Sequence, residues 1–316
     1  MTPLIVVVGS INADITLLVE RLPERGETVL TTAPAHLSFG GKGGNQAAAA
    51  AAFGGRVAMI GNVGDDDIGR RARNDLADRG VDVTHVRAIP GTRTGSASIT
   101  VERAGENMIV VDAGANGCLS PTDIDAQLLA QAAVVLVQLE VPTETVAAVA
   151  RATRQKVVLN PAPAQRLPAD VLSAVGHLVV NVPELLAMTG AQPPASLEEV
   201  VPLARALNPH VVVTLGARGA LVVPAADEPV HVPAPTAEIR DATGAGDCFC
   251  GVLASLIADG ADLASAARVA VAAATLSATA VGARGMLPSR AEATALADSL
   301  SMRALHESGP PPSIRR

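Results

Sequence analysis

The chain has 316 residues, 49% hydrophobic and 17% charged, with 3 Phe, no Trp and no Tyr. That balance supplies apolar surface for a core of Ala, Val and Leu and excludes bulk disorder, which needs few apolar residues and high net charge. The formal net charge of -7, with no Lys/Arg block, excludes a nucleic-acid groove, and no run of about 18 uninterrupted apolar residues predicts a membrane span.

Leu4–Val8 reads as a short buried strand, too brief and too poor in flanking basic residues for a secretory signal. Gly9-Ser10-Ile11-Asn12-Ala13-Asp14 follows it. On an extended backbone Asn12 and Asp14 share one side, an amide and a carboxylate suited to vicinal hydroxyls, although such a fragment alone is more often a turn than a site. Asp14–Thr32 alternates like an exposed strand. So does Gly95–Asp112, where Ser96–Val101 and Met108–Val111 flank a Gly-containing turn in a hairpin pattern. The two regions predict a small antiparallel flap, although ordinary edge strands share the pattern.

Phe39-Gly40-Gly41-Lys42-Gly43-Gly44-Asn45-Gln46 is no P-loop, because Gly43 stands where that loop needs Ser or Thr and His36 where it needs Gly. Its glycines, Lys42 and Asn45 can present donors to sugar hydroxyls instead. Val57–Ile60, Val134–Leu139, Val157–Leu159, Leu178–Val180, His210–Leu215 and Gly219–Val223 predict further strands, separated by stretches with helical spacing. Strands alternating with helices imply an α/β fold with a mostly parallel sheet covered on both faces. Ala261–Val281 reads as a closely packed buried helix, and Gly309–Arg316 as a fraying tail.

The most informative segment is Arg240-Asp241-Ala242-Thr243-Gly244-Ala245-Gly246-Asp247-Cys248-Phe249, which opens a helix-compatible run. Small residues at Gly244–Gly246 let backbone N–H groups approach an anion at a helix start, where the dipole favours a phosphate. Asp247, in that turn, is placed to act as a base, although a plain helix start with a favourable Asp has the same residues. Cys118, Cys248 and Cys250 form neither a disulfide framework nor metal-ligand spacing, which points to a reducing, cytoplasmic setting. His85, His177, His210 and His231 fall in turns or strand ends without evident partners and are assigned no chemistry.

Gly9–Asp14, Gly40–Gln46, Gly105-Glu106-Asn107, Ala113–Asn116, Gln138-Leu139-Glu140, Asn160–Pro163, Asn181–Gly190, Thr214–Gly219 and Asp241–Asp247, in this order over residues 4–290, resemble the PfkB carbohydrate kinases, with the ribokinase group the best match. The resemblance implies a ribokinase-like three-layer α/β/α sandwich over 1–306, with a β-sheet lid from about 14–32 and 95–112, a flexible tail at 307–316, and a homodimer joined through the lids. It implies MgATP-dependent phosphorylation of the 5-hydroxyl of D-ribose. By position, Asp247 would be the base, with Gly244, Ala245 and Gly246 the anion hole. Asn12, Ala13, Asp14, Gly41, Lys42, Gly43, Gly44, Asn45 and Glu140 would contact sugar. Asn181 would approach the nucleotide phosphates and Glu184 would order magnesium and water. Thr214, Leu215, Gly216, Ala217, Arg218 and Gly219 would line the nucleotide site, with Gly246 and Asp247 at its phosphate end. A potassium site would use Asp241, Thr243, Ser277, Ala280, Gly282 and Met286.

Four residues depart from the pattern: Cys248 where Thr or Ser is usual, Gly44 where Ala is commoner, Met286 where a small polar residue often serves the cation, and Val271 where some members place a polar residue beside adenine. Alternatives are a family kinase for deoxyribose, a ketose or a nucleoside, the last disfavoured by few aromatics, or a non-catalytic sugar or nucleotide sensor, disfavoured by an intact Asp247 and glycine turn.

Overall fold

The structure is a computed structural model that describes residues 2–104, 106–153 and 156–305. Its main sheet runs in the order Arg303–Ala304, Val230–Val232, Ala220–Val223, Val211–Thr214, His177–Asn181, Val157–Asn160, Val134–Gln138, Leu4–Val8, Arg56–Gly64, Val81–Asp82. Val86–Ile89 also pairs with the second half of Arg56–Gly64. From Val81–Asp82 to Val211–Thr214 every pairing is parallel, and the remaining three strands add antiparallel.

Continuous apolar runs are what a sheet buried on both faces requires. Along Leu4–Val8, Ile5 and Val7 join one core cluster while Leu4, Val6 and Val8 join the other, as the two-residue period dictates. Helices Lys42–Ala52, Asp67–Asp78, Ala245–Ala258, Leu263–Ser277 and Arg290–Ala297 cover the first face, and Ala126–Gln131, Thr143–Thr153, Ala169–Ala174, Val182–Thr189 and Leu197–Arg205 the second. The result is a three-layer α/β/α sandwich. The alanine run of Lys42–Ala52 packs tightly on Ala245–Ala258: a Cβ on Gly251 would come within 2.5 Å of the Gln46 carbonyl. Small residues here bring Gln46 and Asp247, on adjacent helices, within reach of each other.

A second sheet has the order His36–Gly40, Asn12–Val19, Gly95–Glu102, Asn107–Asp112. It differs from the expected antiparallel flap in two ways. Asn12–Val19 runs parallel to Gly95–Glu102, in register from Asn12↔Gly95 to Val19↔Glu102, because the chain passes through the main sheet between them. The second half of Asp14–Thr32 is not strand apart from a Val19↔Thr31 bridge, and its place is taken by His36–Gly40, which runs straight into the glycine loop. Gly105 and the tail at 307–316 lie outside the described residues.

All three cysteines are free, Cys248 and Cys250 buried and Cys118 exposed. Among the described residues no helix is long and apolar enough to cross a membrane. The histidines do have partners: the His177 and His210 rings lie 5.6 Å apart, His85 faces Asp125 at 3.8 Å, and His231 Nε2 is 2.8 Å from the Arg218 carbonyl. Of these contacts only that of His231 touches a residue, Arg218, named above for the site.

Candidate active site

Leu4–Val8 lies between Arg56–Gly64 and Val134–Gln138, where successive strands change their direction of addition. Ligands in open α/β sheets bind at such a switch point, outside the carboxyl ends of the strands. Ser10, Gln138, Glu140, Asn160, Asn181 and Thr214 all stand at those ends.

Asp247 sits in the first turn of Ala245–Ala258 and is 8% exposed. Asn45 Nδ2 donates to its Oδ2 and Gln46 Nε2 to its Oδ1, each at 3.0 Å. Gln46 is itself held, its Oε1 accepting from Gln138 Nε2 at 2.6 Å and its Nε2 reaching Asn160 Oδ1 at 3.2 Å. Burial pushes the Asp247 carboxyl upward, against the opposing pull of Lys42 and the two amides, and Glu140 adds to the rise. A carboxylate raised in this way but still hydrogen-bonded as an anion is suited to accept a proton.

On one side of Asp247 is a cleft of about 150 Å³ lined by Lys42, Asn160, Ala162, Val179, Val180, Asn181, Glu184, Thr214, Gly244, Gly246, Asp247 and Cys250. Gly244 caps the helix with φ 75, the left-handed region, and a Cβ there would strike Ala283 at 2.6 Å. Around Gly246 a Cβ would meet open space. The Ala245 N–H closes a turn onto the Ala242 carbonyl at 3.2 Å, so one of the three amides expected in the anion hole already has a partner. Lys42, assigned to sugar contact by position, lines this cleft; burial opposes its charge, but Asp247, Glu140 and Glu184 hold its ammonium above the usual range. Asn181 and Glu184 form a reciprocal capping box: Glu184 Oε2 accepts from the Asn181 N–H at 2.9 Å and Asn181 Oδ1 from the Glu184 N–H at 2.7 Å. Burial raises the Glu184 carboxyl against the pull of that N–H and of Lys42.

On the other side are Asn12, Ala13 and Asp14 of the second sheet. Asn12 is 3% exposed and its Oδ1 accepts from Asn116 Nδ2 at 2.7 Å. Asp14 Oδ1 is buried with no hydrogen-bond partner. Burial first, then the nearby Glu140 charge, raise its carboxyl to about 6. An unsatisfied buried acceptor is costly, so this atom marks where a hydroxyl donor belongs. Glu140 Oε2 accepts from Ser10 Oγ at 2.6 Å and from the Lys42 N–H at 2.9 Å. The glycines serve packing as well as access: a Cβ on Gly41, at φ 80, would come 2.7 Å from the Asn12 nitrogen, and one on Gly43 within 2.7 Å of Gly9.

Asp241, Thr243 and Gly282 are brought together, Asp241 accepting from the Thr243 N–H at 2.9 Å and the Gly282 N–H at 2.8 Å. Ser277 and Ala280 adjoin, the Ala280 N–H reaching the Ser277 carbonyl at 3.5 Å. Met286 follows on the same loop, partly buried. Thr214 ends its strand and Leu215–Gly219 forms a tight turn closed by a 2.7 Å bond from the Leu215 N–H to the Gly219 carbonyl. Gly216, Ala217 and Arg218 lie within that turn. Val271 belongs to the helical core, and burial pushes the Cys248 thiol up to about 12, so Cys248 is a packing residue.

Five polar residues of the site escaped assignment from the sequence. Gln46, Gln138 and Asn160 stand in segments that carried the resemblance, as does Ser10. Arg284 had no such signal: its Nε donates to Asn45 Oδ1 at 2.8 Å from a side chain that is only 5% exposed.

A buried carboxylate at a glycine-lined helix start, between a cleft and the acidic polar residues of a small second sheet, accords with a sugar kinase. Residues 2–290 match the pfkB family carbohydrate kinase model, and the chain belongs to that family. It is 36% identical over 302 residues to a protein of Haemophilus influenzae named Ribokinase, covering 92% of this chain and 97% of that one. It is also 36% identical over 296 residues to a Salmonella typhi protein named Deoxyribokinase, covering 90% and 95%. Arabidopsis thaliana ribokinase, solved in complex with ribose and ATP, superposes with a TM-score of 0.86 at 31% identity, over 94% of this chain and 99% of that one.

Proposed function

We propose that this chain is a cytoplasmic enzyme that transfers the γ-phosphoryl group of ATP to the 5-hydroxyl of D-ribose, yielding D-ribose 5-phosphate and ADP. The observation that carries the reading is Asp247: a buried carboxylate in the first helical turn, facing the cleft and held by Asn45 and Gln46. The ribose complex of the Arabidopsis relative supports the choice of sugar.

The protein's share of phosphoryl transfer is mostly positioning and charge stabilisation. Asp14, Asn12, Asn45 and Glu140 orient the sugar so that its 5-hydroxyl meets Asp247, and Asp247 takes the proton as the new O–P bond forms. The helix-start amides of Gly244 and Gly246 and the Lys42 ammonium receive charge on the transferred oxygens, while the Ala245 N–H is held by the Ala242 carbonyl. Magnesium, when bound with ATP, screens phosphate charge; the half-buried Glu184 and Asn181 fit a role in holding its water shell. Thr214–Gly219 would carry the nucleotide. Potassium would use the Asp241 loop, where the carboxylate already meets the main chain of Thr243 and Gly282 and Ser277, Ala280 and Met286 would add main-chain oxygens; the Met286 side chain adds no hard ligand. Residues 1–306 would act as one domain, with the second sheet as a lid that excludes water. Two chains would pair through these lids.

ADP release measured with ribose, 2-deoxyribose, ketoses and nucleosides, with and without potassium, tests the reading. Ribose-dependent ADP supports it. Preference for 2-deoxyribose would favour the second reading, suggested by the Salmonella relative's name, and the absence of sugar-dependent ADP release would overturn both.

A further inference from the structure

We infer that Arg284 is a positioning residue of this active site: its guanidinium, seated where Gly44 has no side chain, fixes the Asn45 amide toward Asp247 and anchors the glycine loop to helix Asp67–Asp78. The inference deepens the kinase reading and rests on it.

Arg284 spends its planar fork on three acceptors. Nε donates to Asn45 Oδ1 at 2.8 Å, Nη1 to Asp75 Oδ2 at 2.6 Å, and Nη2 to the Gly40 carbonyl at 3.0 Å. An amide between a guanidinium and a carboxylate has one favourable orientation, oxygen to the cation and nitrogen to the anion. That is the orientation found, with Asn45 Nδ2 3.0 Å from Asp247 Oδ2. Without Arg284, the Asn45 oxygen loses its donor and the amide can turn. The Gly40 carbonyl immediately precedes Gly41 and Lys42, so the same fork ties down the entry to the sugar loop.

Two further observations point to this residue. Arg284 follows Ala283, which packs on Gly244, so one segment touches the phosphate turn and reaches the sugar loop. Gly44 then gains a reason. It lies in the first turn of helix Lys42–Ala52, and an alanine Cβ there would come 2.5 Å from Arg284 Nη2. The departure from the commoner alanine and the buried arginine are one arrangement.

Steady-state kinetics of Arg284→Gln, Arg284→Lys and Gly44→Ala test this, each with ribose and with MgATP varied. Arg284→Gln and Gly44→Ala are expected to raise the ribose KM about tenfold and lower kcat severalfold, with the MgATP KM within about twofold. Arg284→Lys keeps the pairing with Asp75 but lacks the fork, so its Tm should stay near wild type while its ribose KM follows the Gln variant. In an Asn45→Ala background, Arg284→Gln should raise the ribose KM by clearly less than in the wild-type background, what remains reflecting the lost tie to the Gly40 carbonyl. Wild-type ribose kinetics in Arg284→Lys, an equal rise in both KM values, or full additivity with Asn45→Ala would overturn the inference. If Arg284→Gln does not fold, Gly44→Ala and Arg284→Lys decide it alone. Turnover surviving in Asp247→Asn would instead remove the base assignment, a separate failure.

Discussion

Asp14 and Gly40 compete for the same space in the second sheet. Asp14 is paired across the strands with Ser38, but its carboxylate leans along the neighbouring strand until Oδ2 occupies the place a Gly40 Cβ would take. The bare α-carbon of Gly40 is therefore what allows the Asp14 carboxylate its place, over the sugar position proposed above.

Gly40→Ala should consequently displace Asp14. Its backbone is not in the left-handed region, so added volume alone causes the effect. We expect the ribose KM to rise on the order of 10- to 100-fold, with the MgATP KM unchanged. Isothermal titration with ribose checks it; wild-type affinity would show that Asp14 can move without cost.

The Asp14 carboxyl, raised from 3.8 to about 6 by burial and by Glu140, makes a linkage prediction. Between those values the native state binds more protons than the unfolded state, so this group's contribution to stability falls as pH rises through the window. Asp14→Asn should relieve up to about 3 kcal/mol of that cost at neutral pH while weakening ribose binding. Thermal melts of both proteins from below pH 3.8 to neutrality test it; a difference in Tm independent of pH would contradict the shift.

Asp247→Asn should lower kcat by about 10³-fold or more with little change in ribose affinity. The new amide also offers one NH2 to a place where Asn45 and Gln46 both donate, so a modest fall in Tm is expected. Near-normal turnover would exclude Asp247 as the base.

Burial works to raise the Asp241 carboxyl, but hydrogen bonds from Thr243 and Gly282 outweigh it and hold the group below the usual carboxylate range, so it stays ionised. Asp241→Ala is expected to remove most of the rate difference between potassium and sodium buffers. A wild-type potassium response would place the cation elsewhere.

The second sheet leaves Leu18, Met108, Ile109, Val110 and Val111 exposed, and an apolar surface of this kind marks a contact site. Leu18 and Ile109 lie on the face that bears Asp14, by strand register. Leu18→Glu with Ile109→Glu should shift the chain to monomer in sedimentation velocity at micromolar concentration. A wild type that sediments as a monomer, or a variant that sediments like a dimeric wild type, would remove this face from the proposed dimer.

The residues that encode periodicity carried most of the fold. Leu4–Val8, Val134–Gln138 and Val157–Asn160 are strands within a residue of the expected runs, because burial on both faces demands an unbroken apolar sequence. The helix opening at Gly244–Asp247 was equally legible, since capping and dipole effects act within one turn. The lid was legible only in part. His36–Gly40 lacks the continuous apolar run that marks the buried strands, and the parallel pairing of Asn12–Val19 with Gly95–Glu102 depends on the path of the intervening chain.

Sequence alone therefore determined the layered architecture, the family and the carboxylate at the helix start, all properties written in neighbouring residues. Tertiary structure alone decided that Lys42 lines the cleft beside Asp247, that Asp14 keeps an unpaired oxygen, and that Arg284 reaches Asn45 across 239 positions. Hydrogen bonds between residues so far apart leave no periodicity, spacing or cap to read; they exist only once two buried helices and a loop have packed to a fixed distance.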